Sequence, residues 1–331
     1  MTRMPDERLF RREPTNPILT AEDLPYPANT VFNPGAARLA DETVLLVRVE
    51  GMHGSSVLHV ARSADGISGW TFDPTPLLSP DGGAHPEEIW GCEDPRLTWL
   101  PERGEWAIAY TAYSRRGPLV SLALTRDFRE VRRLGPVMPP EDKDAALFPR
   151  RFGGRWAMIH RPTPMRGGAH MWLSFSPDLR HWGDHALLLE AREGSWWDAG
   201  KIGLGPPPLE TPDGWLVMYH GVRLTAAGAI YRAGLALLDL HDPTIVLRRG
   251  EDWVFGPREG YELSGDVHQV VFPTGWTLDP ATAELLLYYG AADTVVAVAR
   301  AGLDEVMARV LSSPGPDLRR SSDAEGRGSP A

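Results

Sequence analysis

The sequence predicts an all-β fold, a five-bladed β-propeller. Three observations lead there: a three-part pattern recurs five times, turn-forming residues are abundant, and apolar residues come in short runs. The chain of 331 residues holds 34 Gly and 31 Pro, about a fifth of the total and above ordinary usage.

Each repeat keeps one order. A short run with a proline comes first: VFNPGAARL (31–39), CEDPRLTWL (92–100), ALFPRRF (146–152), GLGPPPLET (203–211) and VVFPTGW (270–276). A β-rich run follows: TVLLVRVEG (43–51), EWAIAYTAYS (105–114), RWAMIHRP (155–162), GWLVMYHGV (214–222) and ELLLYYGAAD (284–293). An alternating run then ends near Asp65, Asp127, Asp178, Asp239 or Asp304. Trp70 and Trp182 follow two of these aspartates, on expected fourth strands. Units of about sixty residues with at least three strands each are a propeller pattern. A β-sandwich with irregular turns is the competing reading, and the recurrence of all three parts in one order favours the propeller.

The pattern sets the boundaries. Residues 1–27 form an N-terminal arm that either closes the array or meets a neighbouring subunit. The propeller spans 28–302 as one catalytic domain. A short helix over 303–312 carries apolar residues at Leu303, Val306, Met307 and Val310. The tail, 313–331, is rich in Ser, Pro, Gly and charge without apolar periodicity, and disorder is expected there.

Composition excludes several classes. Lys plus Arg is 34 and Asp plus Glu is 44, for a formal net charge of −10, against a general nucleic-acid binder. The single cysteine, Cys92, allows no internal disulfide and no cysteine zinc site, and fits a reducing compartment. The opening stretch lacks the apolar core of a signal peptide, and no apolar run approaches the ~18 residues of a membrane span. The expectation is a cytoplasmic protein with no membrane partner. Phosphate-binding glycine loops and the nucleophile elbow of the α/β-hydrolases are absent from the sequence.

Propeller geometry then gathers a pocket. The first strand of each unit lies nearest the channel, and proline is tolerated at a strand start. Pro34, Pro95, Pro149, Pro206 and Pro273 therefore mark where inner strands begin. Asn33, Glu93, Asp94, Arg96, Phe148 and Asp266 lie near these starts and face a shared pocket. Second strands return to the same face with Arg48, Tyr113, His160, Arg161, His220 and Asp293 at their ends. A partly dried carboxylate at Asp94 suits a general acid; a turn aspartate before proline is the competing reading. Lys143, Arg161, Lys201 and His220 converge as a basic set, which calls for an anion unless each neutralises a surface carboxylate. His160 and His220 lack a third ligand, so no metal site is expected. Cys92 reads as packing, and Trp90, Trp196 and Trp197 suit either sugar stacking or packing.

These residues carry a family resemblance. NPIL (16–19), VFNPG (31–35), LLVRVEG (45–51), EDPRLT (93–98), KDAALFP (143–149), HRP (160–162), SFSPDLRHWGDH (174–185), KIGLGPPP (201–208), YHGV (219–222) and YYGAADT (288–294) stand in order. They resemble glycoside hydrolase family 130, the inverting β-mannoside phosphorylases and their hydrolytic relatives, from about residue 16 to residue 311. The resemblance implies a five-bladed propeller and phosphorolysis of β-1,4- or β-1,2-manno-oligosaccharides at the non-reducing end, giving α-mannose 1-phosphate. Asp94 would be the proton donor, acting through a hydroxyl of the mannosyl ring. Lys143, Arg161, Lys201 and His220 would bind phosphate, and Asn29, Arg62 and Asp293 would contact the sugar. Lys143 stands where many relatives carry arginine. No cofactor is implied, because inorganic phosphate is a co-substrate. The partners are the oligosaccharide and phosphate, and a homo-oligomer is compatible. Two rivals remain: a hydrolase, with Glu93 or Asp266 as a second carboxylate, and a non-catalytic sugar-binding propeller.

Overall fold

The computed structural model describes residues 9–164, 168–226 and 228–315. The tail from residue 316 and the first eight residues of the arm lie outside the described residues.

The fold is all-β, with five antiparallel units of strands in chain order. The first holds β2 (Thr30–Arg38), β3 (Thr43–Glu50), β4 (Ser56–Ser63) and β5 (Thr71–Phe72). The second holds β6 (Gly91–Leu100), β7 (Glu105–Ser114), β8 (Gly117–Thr125) and β9 (Val131–Pro136). A single parallel bridge, Ser56 to Gly91, links these two. The third holds β10 (Asp142–Leu147), β11 (Trp156–Pro162), β12 (Met171–Ser176) and β13 (Gly183–Leu189). In the fourth, β14 (Lys201–Leu204) and β15 (Leu209–Thr211) both pair with β16 (Gly214–Thr225), followed by β17 (Gly228–Leu238) and β18 (Val246–Arg249). The fifth holds β19 (Val271–Asp279), β20 (Glu284–Ala291) and β21 (Val295–Gly302). Its outer strand is β1 (Arg11–Arg12), which the arm lays antiparallel on β21.

The core is divided among five apolar clusters, each between two units. Successive pairs of units share four of them, and Val31, Leu45, Tyr288 and Val298 join the first unit to the fifth. Alternation explains the division, because successive side chains of a strand point to opposite faces. In β3, Val44 and Leu46 face the second unit, while Leu45, Val47 and Val49 face the fifth. Strands buried on both faces therefore read as unbroken apolar runs.

The recurrent aspartates close turns. Oδ1 of Asp65, Asp127, Asp178 and Asp239 each accepts two backbone N–H groups two and three residues on. Such local bonds stabilise the reversal between strands. Asp304 lies instead in the first turn of helix α2 (Leu303–Leu311), which buries Val306, Met307 and Val310. A second helix, α1 (Gly260–Leu263), precedes β19.

The prolines do not mark strand starts, contrary to expectation. Pro34 and Pro95 sit inside β2 and β6, at a bulge in each. Pro149 and Pro206 lie beyond the ends of β10 and β14, and Pro273 is the third residue of β19. A bulge leaves a residue outside the ladder, so a proline there loses no hydrogen bond.

The Leu46→Ala variant should lose about 2–5 kcal/mol of stability, because the fully buried side chain fills the seam between the first two units. Denaturant unfolding monitored by tryptophan fluorescence measures this. An unchanged midpoint would mean that the seam does not hold the units together.

Candidate active site

One cavity of about 180 Å³ receives side chains from all five units. Asn33 and Arg48 come from the first and Asp94 from the second. Lys143, Asp144 and Arg161 come from the third, Lys201, His220 and Tyr231 from the fourth, and Phe272 and Asp293 from the fifth. Eight sequence-predicted residues meet here: Asn33, Arg48, Asp94, Lys143, Arg161, Lys201, His220 and Asp293.

Two others do not line it. Arg62 points away, its guanidinium donating to Asp73 at 2.8 and 3.1 Å and to Glu42 at 2.7 Å. It belongs to the junction of the first two units, where it also reaches the Phe128 carbonyl. Asn29 donates to Asp266 at 3.0 Å on the exposed surface. Other expectations also shift. Phe148 packs in the core against Trp215, and His160 is held between Asp142 and Ser174, at 2.6 and 2.7 Å. Glu93 and Arg96 are buried behind the lining. Trp197 stacks on Tyr219, whereas Trp90 and Trp196 are partly exposed, Trp90 edge-on to Tyr113. Cys92 is buried, and burial pushes its thiol far up, away from any reactive thiolate.

Bulges explain why the polar residues reach the cavity. The ladder shifts register between Phe32 and Gly35, Glu93 and Arg96, and Lys143 and Ala146. Inside each shift stands a left-handed residue: Asn33 (φ 47°), Asp94 (φ 48°) and Asp144 (φ 55°). Asn and Asp tolerate this region better than other non-glycine residues.

Asp94 is nearly buried. Its Oδ1 accepts from Asn33 Nδ2 at 2.9 Å and from Arg48 Nη1 at 3.2 Å. Gly290 makes room for Asn33, since a methyl group there would overlap the amide. Burial works to raise the Asp94 carboxyl, but Arg48, Arg96, Lys143 and Asn33 outweigh it, and the group lies below its ordinary range. Asp293 goes the other way. Burial and the Asp94 charge push it up to about 6 against Arg48 and Lys143. Burial also raises Glu93, whose Oε1 lies 3.1 Å from Arg48.

The basic set divides into paired and unpaired members. Arg161 donates twice to Asp144 Oδ2, at 2.8 and 2.7 Å, and once to Thr163 at 2.8 Å. Lys143 lies beside Arg161 in the ladder, and Lys201 Nζ lies 5.4 Å from the Tyr231 ring centre. Neither lysine has a carboxylate within 4.0 Å among the described residues. His220 is not a cation. Burial lowers its imidazole to about 3, with Arg161, Lys201 and Arg96 helping and Asp144 opposing. Its Nδ1 is buried without a partner. The cavity thus offers two ammonium groups with no carboxylate within 4.0 Å among the described residues, a tethered guanidinium and a neutral imidazole, facing the carboxyls of Asp94 and Asp293. Such an arrangement can hold an anion beside a carboxyl able to pass a proton.

The family profile described as beta-1,4-mannooligosaccharide phosphorylase matches residues 6–311. The chain belongs to glycoside hydrolase family 130. The Ruminococcus albus beta-1,4-mannooligosaccharide phosphorylase is 32% identical over 91% of this chain and 90% of that protein. The Listeria innocua beta-1,2-mannobiose phosphorylase is 36% identical over 76% of this chain and 68% of its own. The solved structure of the Listeria innocua beta-1,2-mannobiose phosphorylase with beta-1,2-mannobiose superposes with a TM-score of 0.83 at 29% identity. That match covers 91% of this chain and 99% of the other.

Sequence reasoning on this family 130 chain missed Asp144, Tyr231 and Phe272. Asp144 adjoins Lys143, and simple alternation puts neighbours on opposite faces. The recurrence of Asn33 and Asp94 at bulges was the available signal, but matching repeats by proline placed Phe148 there instead.

A raised carboxyl costs stability once it ionises. The contribution of Asp293 is present below its unfolded value near 4 and is lost as pH rises through about 6. The Asp293→Asn variant should therefore melt higher than the wild type at pH 7, with the gap closing below pH 4. Scanning calorimetry at the two pH values checks this, and a variant that melts lower at pH 7 would contradict it.

Proposed function

We propose that the chain is an inverting β-mannoside phosphorylase built as a five-bladed propeller. The observation that carries the activity is the pair of unpaired lysines, Lys143 and Lys201, lining one cavity with the buried Asp94. Supporting the architecture are five seams, including one between the first and fifth units. The relatives act on β-1,4- and β-1,2-linked mannosides, and both linkages belong to the proposed substrate class.

In this reading phosphate lies against Lys143, Lys201 and the free edge of Arg161. A phosphate oxygen bonds to the anomeric carbon from the face opposite the leaving sugar, and the glycosidic C–O bond breaks. The departing oxygen takes a proton that originates on Asp94 and passes through a mannosyl hydroxyl. The products are α-mannose 1-phosphate and the shortened sugar. Asp94 is ionised in the empty site, held so by Arg48 and Arg96. Incoming phosphate, negative and close, raises its proton affinity, so Asp94 takes up a proton from solvent before the step, and the proton that hydrogen phosphate releases in becoming the sugar phosphate restores the balance. Phosphate is already an anionic nucleophile, so no base is required, and the reaction needs no cofactor. A reducing, phosphate-containing cytoplasm suits it.

Hydrolysis would need a carboxylate to activate water. The expected bases do not line the cavity: Glu93 is bound to Arg48, and Asp266 meets Asn29 outside it. Of the carboxyls that do line it besides Asp94, Asp144 is bound to Arg161 and Asp293 remains, so the case for phosphorolysis rests on the two lysines.

Incubation of β-1,4- and β-1,2-mannobiose with and without phosphate, followed by proton NMR, tests the reading. Formation of α-mannose 1-phosphate only with phosphate is expected. Equal mannose release without phosphate would overturn it. The Asp94→Asn variant should fold normally and turn over about 10²–10⁴ times more slowly, and near-wild-type rates would remove Asp94 from the proton path.

A further inference from the structure

Asp94 and Asp144 occupy equivalent places in adjacent units but are bonded differently. Each is the left-handed residue in an inner-strand bulge. Asp94 uses only Oδ1, and its Oδ2 accepts no hydrogen bond among the described residues. Asp144 uses both oxygens: Oδ2 takes two bonds from Arg161, and Oδ1 takes one from Arg96 at 3.3 Å. His220 Nε2 is 3.5 Å from Oδ2. The packing is close on one side, since a methyl group on Gly203 would overlap Asp144 Oδ2 and His220 Cε1.

We propose that Asp144 is a positioning residue for the anion, aiming Arg161 into the cavity. The proposal rests on the phosphorylase reading. A guanidinium is a planar fork, and its recognition of phosphate depends on orientation as well as charge. Asp144 fixes the Nε and Nη2 edge, and Thr163 fixes Nη1. The remaining N–H bonds of Arg161 are thereby directed, and only there does the lost freedom help binding. Asp144 also neutralises part of the positive charge it organises. Charge and orientation therefore pull in opposite directions when the carboxylate is removed, and the two roles are separable. Loss of the charge alone would tighten phosphate binding; loss of the aim weakens it.

The test uses the full chain, with phosphate and mannobiose varied independently. Asp144→Gly removes the carboxylate while accepting the left-handed backbone without strain. It should raise the phosphate KM at least about tenfold and leave the mannobiose KM within about threefold. Asp144→Asn keeps one acceptor oxygen and should fall between the two. Phosphate should also protect Asp144→Gly from thermal unfolding less than it protects the wild type. An unchanged or lowered phosphate KM overturns the proposal, as does a parallel loss in both KM values. If Asp144→Gly does not fold, Asp144→Asn decides, because it keeps the shape and the left-handed backbone while weakening the hold on Arg161. A selective rise in phosphate KM supports the proposal, and no change overturns it. Wild-type controls keep the two readings apart. Phosphate-independent cleavage by the wild type sinks the phosphorylase reading, whereas phosphate saturation in the wild type with an unaltered Asp144→Gly sinks only the role of Asp144.

Discussion

A regular strand presents alternate residues to one side, so two neighbours cannot both face a cavity unless the ladder breaks. In β2, β6 and β10 it breaks at one place, the bulge that holds Asn33, Asp94 or Asp144 in a left-handed backbone. Lys143 and Asp144 line the cavity together for this reason. The same bulge turns Asp94 toward Arg48 of the preceding unit. Without it the inner strands would offer one polar residue in two, and the site would lose its anchors.

Charge balance then decides what the cavity can hold. Arg48 is matched by Asp94 and Glu93, and Arg161 with Arg96 by Asp144. Burial keeps His220 neutral. Lys143 and Lys201 stand outside these pairs, and with Asp293 also ionised the five cations outnumber the four carboxylates by one, a surplus that an incoming anion would use. The chain as a whole is acidic, so this surplus is local and separate from the net charge. Burial of Asp94, Arg161 and His220 strengthens each interaction relative to open solvent.

Much of the architecture was legible because apolar periodicity survives in single strands. Runs such as 43–51 and 105–114 became β3 and β7, and their recurrence gave the five units. Register was less legible. Proline marked the bulge in β2 and β6 but a position past the strand in β10, so the third unit was aligned wrongly and Asp144 was missed. The outer strand β1 is two arginines long and carries no period to read. Of the site, the charged residues of the second strands were placed well, since those strands end at the same face. The neutrality of His220 was hidden, because it depends on burial rather than residue type. Arg62 had the right charge on a strand whose neighbours, Asp73 and Glu42, could not be foreseen.

The central claim is that two lysines without carboxylate partners make this cavity a phosphate site. Isothermal titration of inorganic phosphate into the wild type and into the Lys143→Met, Lys201→Met double variant measures it most directly. The account predicts one phosphate bound per chain in the wild type and binding at least about a hundredfold weaker in the double variant. Equal affinity in both proteins, or no phosphate binding by the wild type, would contradict it.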